Sequence, residues 1–200
     1  EMCPQGYLED TVYGHEPDAQ EPEMLLADDD EREAAIRTTV SLVVGERCAE
    51  VGAQLLDVAT LYQYEVLEKF PYGQSFRLIG PNGERKMRTP MLGRHMLQNA
   101  ATAVAAAEAL RSRGFALSEQ AIVDGVAFTR VPGRLEVMGQ KPLIVADGAH
   151  NGESAAALAV ALREYFEWKR CFLVLGCNRD KDIREIGMKL SKLAELIICT

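Results

Sequence analysis

Two runs decide how this chain is read: Val131-Pro-Gly-Arg-Leu-Glu136 and Leu143-Ile-Val-Ala-Asp-Gly-Ala-His-Asn151. They make a Pro-Gly-Arg turn, a short apolar strand, a polar loop and the start of an Ala-rich helix. In α/β proteins, ligands gather where an apolar strand ends in a loop and enters a helix. Here the loop holds an acid, an imidazole and an amide between Asp147 and Asn151. Taken alone, the stretch reads equally well as a capped strand-to-helix turn.

Towards the C-terminus the pattern becomes β-α-β-α-β. The expected strands are Arg134–Met138 with Leu143–Ala146, then Cys171–Leu175, then Leu196–Cys199. The expected helices run from about Gly152 to Trp168 and from about Asp182 to Ala194. Strands separated by helices of this length imply a parallel sheet, so the fold class is α/β. A second polar loop, Gly176-Cys-Asn-Arg-Asp-Lys-Asp182, falls at the same sheet edge as the first.

Towards the N-terminus, Pro132-Gly133 punctuates the chain, and the domain boundary is expected there, giving residues 1–132 and 133–200. Ser118 should cap a helix carrying Ile122, Val123 and Val126. Leu92-Gly-Arg-His-Met-Leu-Gln-Asn-Ala100 leads into an Ala-rich helix that Gly114 ends. His95 and Asn99 are one turn apart on it, near a helix start that favours anions. Gly80-Pro-Asn-Gly83 reads as a hairpin turn, since the Gly-Lys-Ser/Thr ending of a phosphate loop is missing. Gln54–Ala59, Gln63–Glu68, Ser75–Ile79 and Arg85–Thr89 are short runs, several of which alternate apolar and polar as half-buried strands do. Asp30 should cap a helix running to about Gly52. Residues 1–30 read as an acidic loop or arm.

The bulk numbers narrow the classes. A net charge of -8 argues against a general nucleic-acid or membrane-surface binder. No apolar run reaches membrane-span length and no signal peptide is recognisable, so a cytoplasmic protein is expected. Five cysteines without a Cys-x-x-Cys pair fit reduced thiols. Leu196-Ile-Ile-Cys-Thr200 reads as a strand in mid-sheet, and a piece of something longer is expected.

Several of these motifs in order resemble the folylpolyglutamate synthase/dihydrofolate synthase branch of the Mur ligase superfamily. Leu92, Gly93, His95, Asn99 and Ala100 match one motif, with Met96 where Gln is usual. Pro132 to Glu136 match a second. Asp147 to Asn151 match a third, with Gly152 in place of Pro. Gly176, Asp180, Lys181 and Asp182 match a fourth. The resemblance runs from about Thr38 to Thr200 and is strongest from Leu92.

The resemblance implies a Rossmann-like C-terminal sheet, incomplete here, after the end of a central α/β domain. It implies that ATP, with Mg2+, phosphorylates a pteroate or folate carboxylate. The amine of L-glutamate then displaces phosphate to form an amide. Folate or dihydropteroate and glutamate would be the partners of a monomer. The resemblance makes Asn99, His95, Arg134, Asp147, Asp180, Lys181 and Asp182 nucleotide-site candidates. His150 and Arg134 become the catalytic candidates. Lys181 between two acids reads equally as a surface ion pair. The family's phosphate loop and its metal-ligand segment are missing, so this chain alone is expected to be inactive. Two alternatives stay open: a Mur-type ligase for a cell-wall precursor or polyglutamate, and a non-catalytic nucleotide-binding module. A dinucleotide-dependent dehydrogenase fits poorly, for lack of a Gly-x-Gly-x-x-Gly after a strand.

Overall fold

The computed structural model describes residues 29–200, in two compact units divided between Leu55 and Leu56. The acidic arm read at residues 1–30 falls almost wholly outside the described residues. The first unit holds helix α1, Asp29–Val51. Asp30 therefore sits inside the helix rather than before it. Gly52 takes φ +66° and ends the helix, as its lack of a Cβ allows.

The second unit opens with a correction. Gln54–Ala59 is not a strand; instead a short helix, α2 (Val58–Leu61), starts inside it. Asp57 is the cause. Its carboxylate accepts from the backbone N–H groups of Ala59 and Thr60 at 3.1 and 3.3 Å, which is N-cap chemistry. Three strands then follow, β1 (Gln63–Phe70), β2 (Gly73–Gly80) and β3 (Gly83–Thr89). They form one antiparallel sheet in the order β1-β2-β3. Gly80 pairs with Gly83 across Pro81-Asn82, so the expected hairpin is present.

Helix α3 (Arg94–Ser112) and helix α4 (Glu119–Phe128) cover this sheet. Ser118 Oγ accepts from the Ala121 N–H and caps α4 as expected. Phe76, Leu78, Met87, Leu97 and Val104 form the centre of the core.

Strands β4 (Glu136–Gln140) and β5 (Leu143–Ala146) come next. β4 begins two residues later than expected, because buried Leu135 has φ +48° and cannot extend a strand. Helix α5 (Gly152–Tyr165), β6 (Phe172–Leu175), helix α6 (Ile183–Leu190) and β7 (Leu196–Cys199) complete the chain. α6 is shorter than expected and passes into a single 3₁₀ turn, Ser191–Leu193.

The parallel sheet is present in β6 and β7, joined by the α6 crossover. β4 and β5 pair antiparallel instead. Only two residues join them, and a parallel connection needs a dozen or more. Among the described residues, β5 is not hydrogen-bonded to β6 or β7. α5 and α6 pack on the parallel pair through Ala155, Ala159, Leu175, Ile186 and Leu190. A small third cluster, Leu92, Leu135 and Ala161, ties the loop before α3 to the Pro-Gly-Arg turn and to α5.

Candidate nucleotide site

The turn at Gly133 and the loop after β5 are stitched together by main-chain bonds. The Gly148 N–H donates to the Gly133 carbonyl at 2.7 Å. Asp147 Oδ2 accepts from the Leu135 N–H at 2.7 Å, and Oδ1 from the Ala149 N–H at 2.8 Å. A Cβ added at Gly148 would lie 3.4 Å from the Gly133 oxygen and 3.5 Å from Arg134 Nη1. The Arg134 guanidinium thus lies over Gly148, and it has no ion-pair partner among the described residues.

Arg134 also reaches a cavity of about 200 Å³ lined by Thr89, Met91, Met96, Asn99, Val126 and other residues of α3 and α4. The cavity is mainly apolar, with Asn99 and Arg134 among its few polar groups. Asn99 has only a weak bond there, from Nδ2 to Met96 Sδ at 3.8 Å. On its other side, Arg134 lines a cavity of about 300 Å³ with Tyr72, Arg130 and Glu136.

His95 stands beside this pair. Its ring packs on Gly93, where an added Cβ would lie 2.6 Å from Cε1. Gly93, at φ +98°, makes that approach possible. Burial pushes the His95 imidazole below its ordinary value; the Asp147 charge opposes this and the Arg134 charge adds to it. His95 is therefore held in its neutral form, next to the acid and the cation of the loop.

His150 is exposed at the start of α5. Its Nδ1 is 3.0 Å from the Gly148 carbonyl, so as the Nδ1–H tautomer it donates there and leaves Nε2 free to take a proton. Asn151 caps α5: its side chain accepts from the Ser154 N–H at 2.8 Å, while its own N–H donates back to Ser154 Oγ.

The loop after β6 is near, but it is not part of the cavity. Asp180 is held below the usual carboxylate range, first by the hydrogen bond from the Lys181 ammonium. Lys181 pairs with Asp180 at 2.8 Å. Asp182 is the N-cap of α6, accepting from the Glu185 N–H at 2.9 Å. The structure thus brings together Asn99, His95, Arg134 and Asp147, with His150 at the far end of the same loop. It gives Lys181 and Asp182 local partners of their own. Among the described residues no three His, Cys, Asp or Glu side chains are grouped as a metal site.

One residue here escaped the sequence reading. Gln74 is buried in β2, in phase with Phe76 and Leu78. The inward face of that strand was legible from alternation, and extending it one step back makes Gln74 a buried polar group in need of partners.

Residues 133–200 match the family described as Mur ligase, glutamate ligase domain. The likeness to Mur ligases extends beyond that domain. A dihydrofolate synthase/folylpolyglutamate synthase of Bacillus subtilis is 32% identical over 76% of this chain and 35% of its own length. A UDP-N-acetylmuramoyl-L-alanyl-D-glutamate–2,6-diaminopimelate ligase of Streptomyces avermitilis is 37% identical over 67% of this chain and 27% of its own length. A folylpolyglutamate synthase solved with AMPPCP and folate superposes with a TM-score of 0.70 at 27% identity, over 79% of this chain and 40% of the other. The chain thus spans about a third of the length of the curated Bacillus relative.

Proposed function

We propose that this chain is part of an ATP-dependent ligase that joins L-glutamate to a folate or dihydropteroate carboxylate through an acyl phosphate. The observation that carries the reading is the placement of Arg134. A guanidinium without an ion-pair partner among the described residues lies beside the Gly133–Gly148 stitch, at the rim of an apolar slot that Asn99 also lines. An amide can read the adjacent donor and acceptor of an adenine edge, and a guanidinium can hold phosphate oxygens with two parallel bonds.

The roles follow from the chemistry. A carboxylate is a poor electrophile until phosphorylation supplies a leaving group. Asn99 and the apolar lining would seat the base, and Arg134 would offset charge on the phosphates. Asp147 ties the loop after β5 to the Pro-Gly-Arg turn, each of its oxygens accepting one backbone N–H. Exposed His150 Nε2 is the group placed to accept a proton from the attacking amine. Mg2+ would supply further charge neutralisation when bound. Among the described residues no three His, Cys, Asp or Glu side chains are grouped to hold it.

In domain terms, residues 1–132 are read as the end of a central domain and residues 133–200 as the first part of a C-terminal one. A cytoplasmic monomer is the expected setting. Among the described residues no helix is long and apolar enough to cross a membrane.

The test is ADP release by the full-length enzyme carrying this segment. Dihydropteroate or tetrahydrofolate with glutamate should support it. A cell-wall nucleotide precursor with 2,6-diaminopimelate should not. The reverse pattern would assign the chain to the cell-wall branch, which the Streptomyces relative represents. The 200-residue chain alone should release no ADP above background, because it has no phosphate loop.

A further inference from the structure

Gln74 is 1% exposed and all its hydrogen-bonding capacity is directed at the joint between the two halves of the second unit. Its Nε2 donates to the Met91 carbonyl at 2.7 Å and to the Gly93 carbonyl at 2.9 Å. Its Oε1 accepts from the Tyr165 hydroxyl at 2.5 Å. Met91 and Gly93 bracket the turn that launches α3, with His95 and Asn99 on its first turns. Tyr165 is the last residue of α5, the helix that begins directly after the Asp147–Asn151 loop. One buried amide therefore touches strand β2, the entry to α3 and the far end of α5.

The surroundings reinforce this joint. Lys69 of β1 lies 5.1 Å from the centre of the Tyr165 ring and pairs with Glu164 at 3.1 Å. Arg94, the first residue of α3, reaches the same Glu164 at 3.5 Å. Leu92, Leu135 and Ala161 close the apolar side. None of these groups lines the cavity shared by Asn99 and Arg134.

We infer that Gln74 and Tyr165 are positioning residues: they pin α5 to the entry of α3 and so hold His95 and Asn99 opposite Arg134 and Asp147. The inference rests on the nucleotide reading for its functional consequence. Without the pin, the two walls must be brought into register when nucleotide binds, and that ordering weakens affinity.

Tyr165→Phe is the informative variant. It keeps the ring and the two carbonyl bonds of Gln74 and removes only the link across the joint. Tyr62→Phe is its control, since it removes a comparably short hydroxyl bond, to Glu108, in the sheet core. ADP binding to the full-length enzyme carrying this segment, measured calorimetrically, should weaken about tenfold in Tyr165→Phe, the worth of one net hydrogen bond. It should be unchanged in Tyr62→Phe. Hydrogen exchange should quicken in Tyr165→Phe at residues 91–99 and 133–151 together. Equal ADP affinities for the two variants would overturn the positioning role. If the wild-type full-length enzyme binds no ADP, the nucleotide reading fails instead. Exchange then decides the pin alone: quickening at both segments supports it, and quickening at one or neither overturns it.

Discussion

The Leu135 backbone N–H donates to Asp147 Oδ2 at 2.7 Å, across a gap of twelve residues. The second Asp147 oxygen is held by the Ala149 N–H. Leu135 is also the one non-glycine residue described with positive φ, so this carboxylate fixes the backbone at a strained position. Asp147→Asn can keep only one of the two acceptors and sets an NH2 group against an N–H. It should cost about 1–3 kcal/mol, the penalty of an unsatisfied part-buried donor. Urea unfolding checks this; a loss below a few tenths of a kcal/mol would leave the Leu135 bond without structural weight.

Arg134 calls for the opposite signature. It is exposed and has no ion-pair partner among the described residues. Arg134→Ala should leave the unfolding midpoint nearly unchanged and lower kcat/KM for ATP by about a hundredfold or more in the full-length enzyme, as expected for a charge that meets a phosphoryl group. Arg134→Lys should rescue poorly, because an ammonium cannot make the planar two-point contact. Full activity in either variant would remove Arg134 from the nucleotide site.

His95 gives a pH test with a definite sign. Its folded pKa is below the ordinary 6.5, chiefly through burial. Above that value both folded and unfolded forms are neutral, and His95 contributes no slope. As pH falls below about 6.5 the unfolded chain takes up the proton first, so stability drops. His95→Gln should remove this component. The wild-type stability advantage over the variant should therefore shrink between pH 7 and pH 5. An advantage that grew as pH fell would show that the Asp147 charge, not burial, sets the titration.

Periodicity and caps made most of the elements legible, because their causes are local. Ser118 capping α4, the Pro81-Asn82 hairpin and the α5 start at Asn151 each depend on residues within four positions. What was missed depends on contacts distant in sequence or on a single competing bond. Asp57 converts an apolar run into a helix start. Leu135 delays β4 because Asp147 holds its backbone. Gln74 acquires its meaning from carbonyls 17 and 19 residues away and from a hydroxyl 91 residues away. The motif residues around Arg134 were visible as a set, yet their division of labour was not. Asp147 and Asp182, read as nucleotide-site candidates, also hold backbone N–H groups of their own loops.

The last prediction concerns the buried charges under α3 and α4. Arg85 and Glu108 are both buried, 2.5 Å apart, and Arg85 also pairs with Glu119, which Arg111 shares. Burial pushes Glu108 up, but contacts from Tyr62, Asn82 and Arg85 outweigh it and hold the carboxyl below its ordinary value. Glu119, half exposed, is held down to about 2, first by Arg85 and then by Arg111. Glu108→Gln leaves the buried Arg85 partly uncompensated and should cost about 3–5 kcal/mol. Glu119→Gln should cost about 1 kcal/mol or less, since solvent screens that side of the pair. The Glu119 contribution is complete above about pH 4.5 and is lost as pH falls through about 2. Urea unfolding of both variants at pH 7 orders the two effects, and repeating Glu119→Gln at pH 3 should show a smaller loss. Equal costs at pH 7 would mean that burial does not decide how strongly this network holds the helices to the sheet.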